Sequence, residues 1–166
     1  MLIIDILMKG GLEMNELLFL QEHLPKLLLS AFIGGLVGLE RGNRGGNIGL
    51  GTLSILTMSC CLATVLSIEL SPNGEYMRVV AGILSSVGFI GGGVIFTQRT
   101  EENEKAVRGL TSASIVFFLA IIGITIGVGF YITAILVVIL AETSITTSKM
   151  LKKKRKNNGL EDNSEF

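Results

Sequence analysis

Charge is scarce in this sequence and is unevenly placed. Only 17% of the 166 residues are Asp, Glu, Lys or Arg, whereas soluble domains contain roughly 25%. Hydrophobic residues make up 49% of the chain, and the mean hydropathy is +0.62. These residues fall in long runs rather than in the periodic stripes of amphipathic helices, which argues against a soluble domain. The distribution predicts an integral membrane protein that crosses a bilayer several times.

Residues that carry catalysis or bind metals are also few. There is one histidine, His23, and the two cysteines, Cys60 and Cys61, are adjacent. Neighbours on a helix point about 100° apart, so these thiols suit packing inside a span rather than a shared metal ion. The sequence has no P-loop, no HExxH and no CxxC motif. We therefore predict no enzyme, no catalytic residue, no cofactor and no metal site, with His23 as a polar residue at the membrane edge.

Carboxylates are missing from the middle of every apolar run. Mg²⁺ sites usually use carboxylate oxygens, and proton-coupled transport usually needs a buried ionisable group. This absence argues against a dedicated cation path. A filter lined by backbone carbonyls at Gly91–Gly93 remains an open alternative.

The apolar runs predict an all-α, polytopic membrane helix bundle of about five transmembrane helices. The uncharged stretch 109–141 would be about 50 Å long as one helix, which exceeds the roughly 30 Å hydrocarbon core. It is therefore predicted to form two helices that are broken near Gly123 to Gly129. The predicted spans are residues 25–39, 50–68, 79–96 and these two helices, with Pro25 at the first helix start.

Three regions follow from this reading. Residues 1–16 form an N-terminal segment, 17–145 the transmembrane domain, and 146–166 a basic and then polar tail that is predicted to be disordered. Met14 leads directly into the first span and is an alternative start to Met1, which mass spectrometry of the native N-terminus would decide.

Basic residues predict the orientation, because Lys and Arg are enriched on the cytoplasmic side. With an outer N-terminus and five spans, 11 of the 14 basic residues are cytoplasmic and three are outside. The run Lys152–Lys156 follows the last span directly. It is better explained as a topology signal that contacts anionic lipid than as a nucleic-acid patch.

Small residues and a charged cluster are the candidate functional features. Three GxxxG pairs occur, at Gly34/Gly38, Gly88/Gly92 and Gly123/Gly127. Such pairs allow close helix approach within one chain or, alternatively, between two copies of it. Glu40, Arg41, Arg44 and Arg108 fall at the predicted cytoplasmic edge, and Glu40 and Arg108 would pair if spans one and four are neighbours. The alternative is ordinary interfacial anchoring.

Three motifs occur in a characteristic order: Leu36-Val-Gly-Leu-Glu-Arg41, Gly88-Phe-Ile-Gly-Gly-Gly-Val-Ile95 and Val107-Arg-Gly-Leu-Thr-Ser-Ala-Ser114. With them the chain resembles the bacterial MgtC/SapB family of inner-membrane proteins over about residues 17–141. By motif match, the family's conserved positions fall on Gly38, Glu40, Arg41, Gly88, Gly91, Gly93, Arg108, Gly109 and Thr111. The resemblance adds Thr111 to the cytoplasmic-edge cluster, and Gly91, Gly93 and Gly109 to the candidate packing glycines.

The sequence departs from the family pattern at two places inside the membrane. The family usually has an Arg-Thr-His run where this chain has Gly51-Thr52-Leu53, and often a glutamine where it has Gly82. Longer members add a soluble C-terminal domain, and here a polar tail follows the last span instead. Activities that rely on those groups are therefore not expected of this chain.

The resemblance implies a bacterial inner-membrane location and a role in adaptation to low magnesium. We expect a non-enzymatic protein that modulates another membrane complex, and certain members are thought to act on ATP synthase or on phosphate uptake. The partners expected are the lipid bilayer, another membrane complex and a second copy of the chain. Two alternatives remain: a transporter or channel for Mg²⁺ or another small solute, and a structural subunit that organises lipid.

Overall fold

A computed structural model describes residues 14–43, 48–71, 74–96 and 109–157. Within these ranges the chain forms five α-helices and no strand, which confirms the predicted all-helical membrane bundle. The helices are α1 (Met14–Asn43), α2 (Leu50–Leu70), α3 (Tyr76–Phe96), α4 (Leu110–Val128) and α5 (Tyr131–Asn157).

Four of these helices are long and apolar enough to cross a bilayer. They contain the segments Glu16–Gly42, Leu50–Leu70, Tyr76–Ile95 and Leu110–Val128. The fifth helix has a shorter apolar segment, Tyr131–Thr147. Its length of about 26 Å falls slightly below the roughly 30 Å hydrocarbon thickness.

Two helix boundaries differ from the prediction. Helix α1 begins well before Pro25, which lies inside the helix. Proline removes a single backbone hydrogen bond there, and the apolar residues on both sides of it are good helix formers. Helix α5 continues to Asn157, so residues 146–157 of the predicted disordered tail are helical. Lysine and arginine are good helix formers, and positive charge is favourable near a helix C-terminus.

The predicted break between the last two helices falls at Gly129. Its φ of +105° is left-handed, and its N–H donates to the Ile126 carbonyl. The next N–H, from Phe130, donates to the Thr125 carbonyl at 3.0 Å. These two bonds form a Schellman motif, which ends a helix where glycine adopts positive φ. Gly123 and Gly127, by contrast, lie inside α4 and are buried.

Helices α2 and α4 form the centre of the bundle. Helix α1 packs mainly on α2, α3 packs mainly on α4, and α5 touches α4 only lightly. Glycines permit the two closest approaches. A Cβ built on Gly38 of α1 would lie 2.6 Å from the Leu50 Cα of α2, and one built on Gly127 of α4 would lie 2.9 Å from the Cys61 carbonyl. Small residues thus bring the backbones of α1 and α4 against α2.

Helix α3 is the least enclosed of the four long helices. Only 11% of its apolar segment is buried, against 39–44% for the segments in α1, α2 and α4. Apart from the nearby backbone of α3 itself, no atom of the described residues lies within 4 Å of a Cβ built on Gly88, Gly92 or Gly93, whereas Gly91 lies against Ala113. Two of the three GxxxG pairs therefore contact α2, and the described chain gives the third no such neighbour.

Candidate functional site

Arg41 joins two ends of the bundle. It lies in the last turn of α1, and its Nη2 donates a hydrogen bond of 3.3 Å to the Oγ of Ser112 in the first turn of α4. The two residues are 71 positions apart in sequence. The bond shows that spans one and four are neighbours, which is the arrangement that the charged-cluster hypothesis requires.

A narrow cleft adjoins this hydrogen bond. It is lined by Arg41, Ile48, Leu53, Ser112 and Ile115, and it is too tight to hold a water molecule. The guanidinium therefore lies at a closed cleft where the described parts of α1, α2 and α4 meet. Arg41 is half-buried, so part of its charge remains available at the surface.

The structure places some of the predicted cluster but not all of it. Glu40 is half-buried in the last turn of α1, and Thr111 is exposed in the first turn of α4. Arg44 and Arg108 lie outside the described residues. Sequence reasoning carried Thr111 over by resemblance, whereas its neighbour Ser112, which binds Arg41, was missed. A serine in a helix first turn gives no signal that marks it as a long-range partner.

Gly109 has a conformational role at the same end of the bundle. It precedes α4 with φ +97°, a left-handed conformation that costs other L-residues about 1–2 kcal/mol. Its carbonyl accepts the N–H of Ala113 at 2.9 Å, which starts the helix. Gly109 therefore sets the direction from which α4 begins and so the position of Ser112.

A second polar cluster lies where α1 begins to pack on α2. The Nε2 of His23 is 3.4 Å from an Oε1 of Glu69, and only 4% of the His23 side chain is exposed. Glu22 also contributes: one ligand atom from each of Glu22, His23 and Glu69 lies within 4.8 Å of the others. Sequence reasoning treated His23 as an isolated boundary residue, because nothing in the sequence pairs positions 23 and 69.

The two polar ends are about one membrane thickness apart. His23 and Arg41 are 18 residues apart on the same helix, which corresponds to about 27 Å. The hydrocarbon core is roughly 30 Å thick. The Arg41–Ser112 contact and the Glu22–His23–Glu69 cluster thus lie at opposite boundaries of the apolar region.

Between these ends, the buried polar groups are hydroxyls that bond within their own helix. Thr57 and Thr64 each donate to the carbonyl four residues earlier at 2.8 Å, and Ser67 donates to the Thr64 carbonyl at 2.7 Å. Among the side chains whose burial the structure describes, no Asp, Glu, Lys or Arg is buried. The packed interior therefore satisfies its own polar groups.

Comparison with known proteins agrees with this architecture. An uncharacterized protein of Haemophilus influenzae is 31% identical over 148 residues, covering 82% of this chain and 60% of that protein. Protein SapB of Bacillus subtilis is 34% identical over 65% of this chain and 48% of its own length. Protein MgtC of Brucella abortus is 34% identical over 64% of this chain and 43% of its own length. No solved structure matches the chain.

The apolar helices define a multi-pass membrane protein of the helix-bundle class. Residues 27–154 match the MgtC family, which is most of the chain and nearly all of the described bundle. The chain therefore belongs to the MgtC family, as its three motifs suggested. It spans about half the length of the curated relatives it matches.

Proposed function

We propose that this protein is a non-enzymatic component of the bacterial inner membrane that modulates another membrane complex during adaptation to low magnesium. Its N-terminus faces outward and its C-terminus faces the cytoplasm. The observation that carries the proposal is the Arg41–Ser112 bond, which fixes a half-buried positive charge where α1, α2 and α4 meet.

The electrostatics of this end favour an acidic partner group. The N-terminus of α4 carries a partial positive charge from its free backbone N–H groups, and Arg41 lies against that first turn. Two positive features side by side favour a carboxylate or phosphate nearby. In this proposal an acidic segment of a partner protein supplies that negative group.

The interior of the bundle supports modulation over transport. The glycine contacts close the space between α1, α2 and α4, and the buried groups in the described ranges are apolar, uncharged or the single His23. A permeant Mg²⁺ would need several oxygen ligands in place of its water. Among the side chains that the structure describes, the buried oxygens that could serve are single hydroxyls and no carboxylate, at Ser30, Thr57, Thr64 and Ser67.

Growth of a deletion strain in low Mg²⁺ tests the proposal. We expect complementation by the wild type, loss of complementation with Arg41→Gln at equal membrane abundance, and normal complementation with the matched control Arg78→Gln. Arg78 is an exposed arginine that pairs with Glu75 on the same helix end, so its loss removes one charge without touching the Arg41 end.

Purification in mild detergent provides the second measurement. The wild type at native expression should co-purify with a membrane complex that Arg41→Gln fails to retain and Arg78→Gln retains. Recovery of the protein alone, together with gradient-dependent Mg²⁺ flux in liposomes that contain only this chain, would overturn modulation in favour of transport. Full complementation by Arg41→Gln would exclude the Arg41 end as the functional surface.

A further inference from the structure

The Glu22–His23–Glu69 cluster combines three metal-ligating side chains from two helices. Glu22 and His23 come from the first half of α1, and Glu69 comes from the last turn of α2. The helices are antiparallel, because Gly38 meets Leu50 while His23 meets Glu69. The three side chains are thus held together by the same helix pair that the glycines bring into close contact.

His23 is buried and oriented toward the two carboxylates. The residue is 3% exposed, and its ring packs edge-on against Phe19 with centroids 4.5 Å apart. Its Nδ1 is buried and has no hydrogen-bond partner among the described residues. Its Nε2 faces Glu69. The nitrogen that bears on the cluster is therefore Nε2, which a buried ring directs at a carboxylate from beyond ordinary hydrogen-bond distance.

The distances suit a shared ion better than a direct hydrogen bond. The 3.4 Å between Nε2 and the Glu69 oxygen exceeds the usual N–H···O range of about 2.7–3.2 Å. Ligand bonds of about 2.0–2.2 Å to a tetrahedral ion place two ligands roughly 3.3–3.6 Å apart. Glu22 precedes His23 on α1, where neighbouring side chains point about 100° apart. Its side chain is long and exposed, however, and its carboxylate already lies within 4.8 Å of the other two ligand atoms.

The ligand set selects the class of metal. Imidazole nitrogen favours first-row transition metals, whereas Mg²⁺ and Ca²⁺ prefer sites made of oxygen atoms alone. Two carboxylates supply the negative charge that a divalent ion requires. We propose that Glu22, His23 and Glu69 form a binding site for a divalent transition-metal ion, of which Zn²⁺ is the type case, with water completing the coordination shell.

The environment of His23 also sets the strength of binding. Histidine ligands of metals usually donate their second ring N–H to a carboxylate or carbonyl, and losing that partner weakens binding about 10- to 100-fold. Nδ1 has no such partner among the described residues. The site therefore binds an exchangeable ion, and by joining α1 to α2 that ion stabilises the bundle at the end opposite Arg41.

Zn²⁺ titration of the purified full chain in lipid nanodiscs tests the site. We expect one Zn²⁺ per chain, with affinity at least tenfold weaker in Glu22→Gln, His23→Gln and Glu69→Gln. Glu75→Gln is the matched control, because Glu75 is an exposed carboxylate beyond the end of α2 that pairs with Arg78 instead. A 100-fold excess of Mg²⁺ should not displace the Zn²⁺.

Two further measurements distinguish a specific metal site from non-specific binding at the surface. Co²⁺ should give the visible absorption of a four-coordinate ion in the wild type and in Glu75→Gln, and not in His23→Gln. Zn²⁺ should raise the unfolding temperature of the wild type and not that of Glu22→Gln, an exposed substitution that leaves the fold intact. Equal Zn²⁺ affinity in Glu22→Gln and wild type, equal loss in Glu75→Gln, or displacement by Mg²⁺ would overturn the proposal.

Discussion

Gly123→Ala is the most direct test of how this bundle is held together. A Cβ at Gly123 would overlap the Thr57 carbonyl oxygen, and it would lie 3.0 Å from the Cys60 Cβ and 3.2 Å from the Cys61 N. Carbon atoms are at their optimum at about 3.5–4.0 Å. All three neighbours belong to α2, and two are backbone atoms that no rotamer change can move. Relief therefore requires α2 and α4 to separate.

The expected cost follows from overpacking. Inserting a methyl group into a closely packed site costs about 1–3 kcal/mol. Alanine also stabilises a helix by about 1 kcal/mol relative to glycine. This gain has to be subtracted from the measured change in stability to obtain the packing cost. Gly92→Ala supplies that correction, because Gly92 is also inside a helix and no described atom lies within 4 Å of its Cβ position. We expect Gly123→Ala to be less stable than Gly92→Ala by roughly 1–3 kcal/mol.

Thermal unfolding in detergent, followed by far-UV circular dichroism, measures the difference. For a chain of this size 1 kcal/mol corresponds to about 2–4 °C, so a 2 kcal/mol difference lowers the midpoint of Gly123→Ala by about 4–8 °C relative to Gly92→Ala. Equal midpoints would refute the inference that α2 and α4 are in backbone contact. A loss of stability in Gly92→Ala instead would show that a second chain covers α3.

Three other results are expected. Ser112→Ala and Arg41→Gln each remove the bond between α1 and α4 and should lower stability by about 1 kcal/mol. Because both lose the same bond, the double variant should cost less than the sum of the two, and additive unfolding midpoints would contradict the contact. Gly109→Ala should cost about 1–2 kcal/mol because of its positive φ. Gly42→Ala, in a helix with open space around it, should not lower stability in the same assay, because alanine is the better helix former. A cysteine reporter placed after Lys156 should resist labelling by a membrane-impermeant reagent in intact cells, and ready labelling would reverse the predicted orientation.

The number and type of helices were predictable because lipid imposes a simple rule. An apolar run of about 20 residues without charge has to satisfy its backbone internally, so it becomes a helix. The boundaries were less predictable, because Pro25 is compatible with both a helix start and a helix interior. The sequence places Pro25 next to Leu24 and Lys26, and neither residue distinguishes the two.

The candidate sites show where sequence reasoning ends. Glu40 and Arg41 were recognisable from charge at a span end, and Thr111 and Gly109 from the motifs. Whether a GxxxG pair forms a close helix contact, by contrast, depends on which helix packs against it. Gly123/Gly127 and Gly88/Gly92 have the same spacing, and only the tertiary packing shows that α2 covers the first pair and not the second.

The two polar clusters have a common structural cause in the α1–α2 pair. The glycine contacts fix how far the antiparallel helices α1 and α2 are shifted along one another. Two residues of α1 that are 18 positions apart therefore contact neighbouring helices at opposite ends of the bundle. At one end this register brings His23 to Glu69, and at the other it brings Arg41 beside the start of α4. A change that separates α1 from α2, such as a larger residue at Gly34 or Gly38, should therefore alter both clusters together. Substitutions at either cluster should leave the other intact, because no charged side chain is buried in the described helices between them.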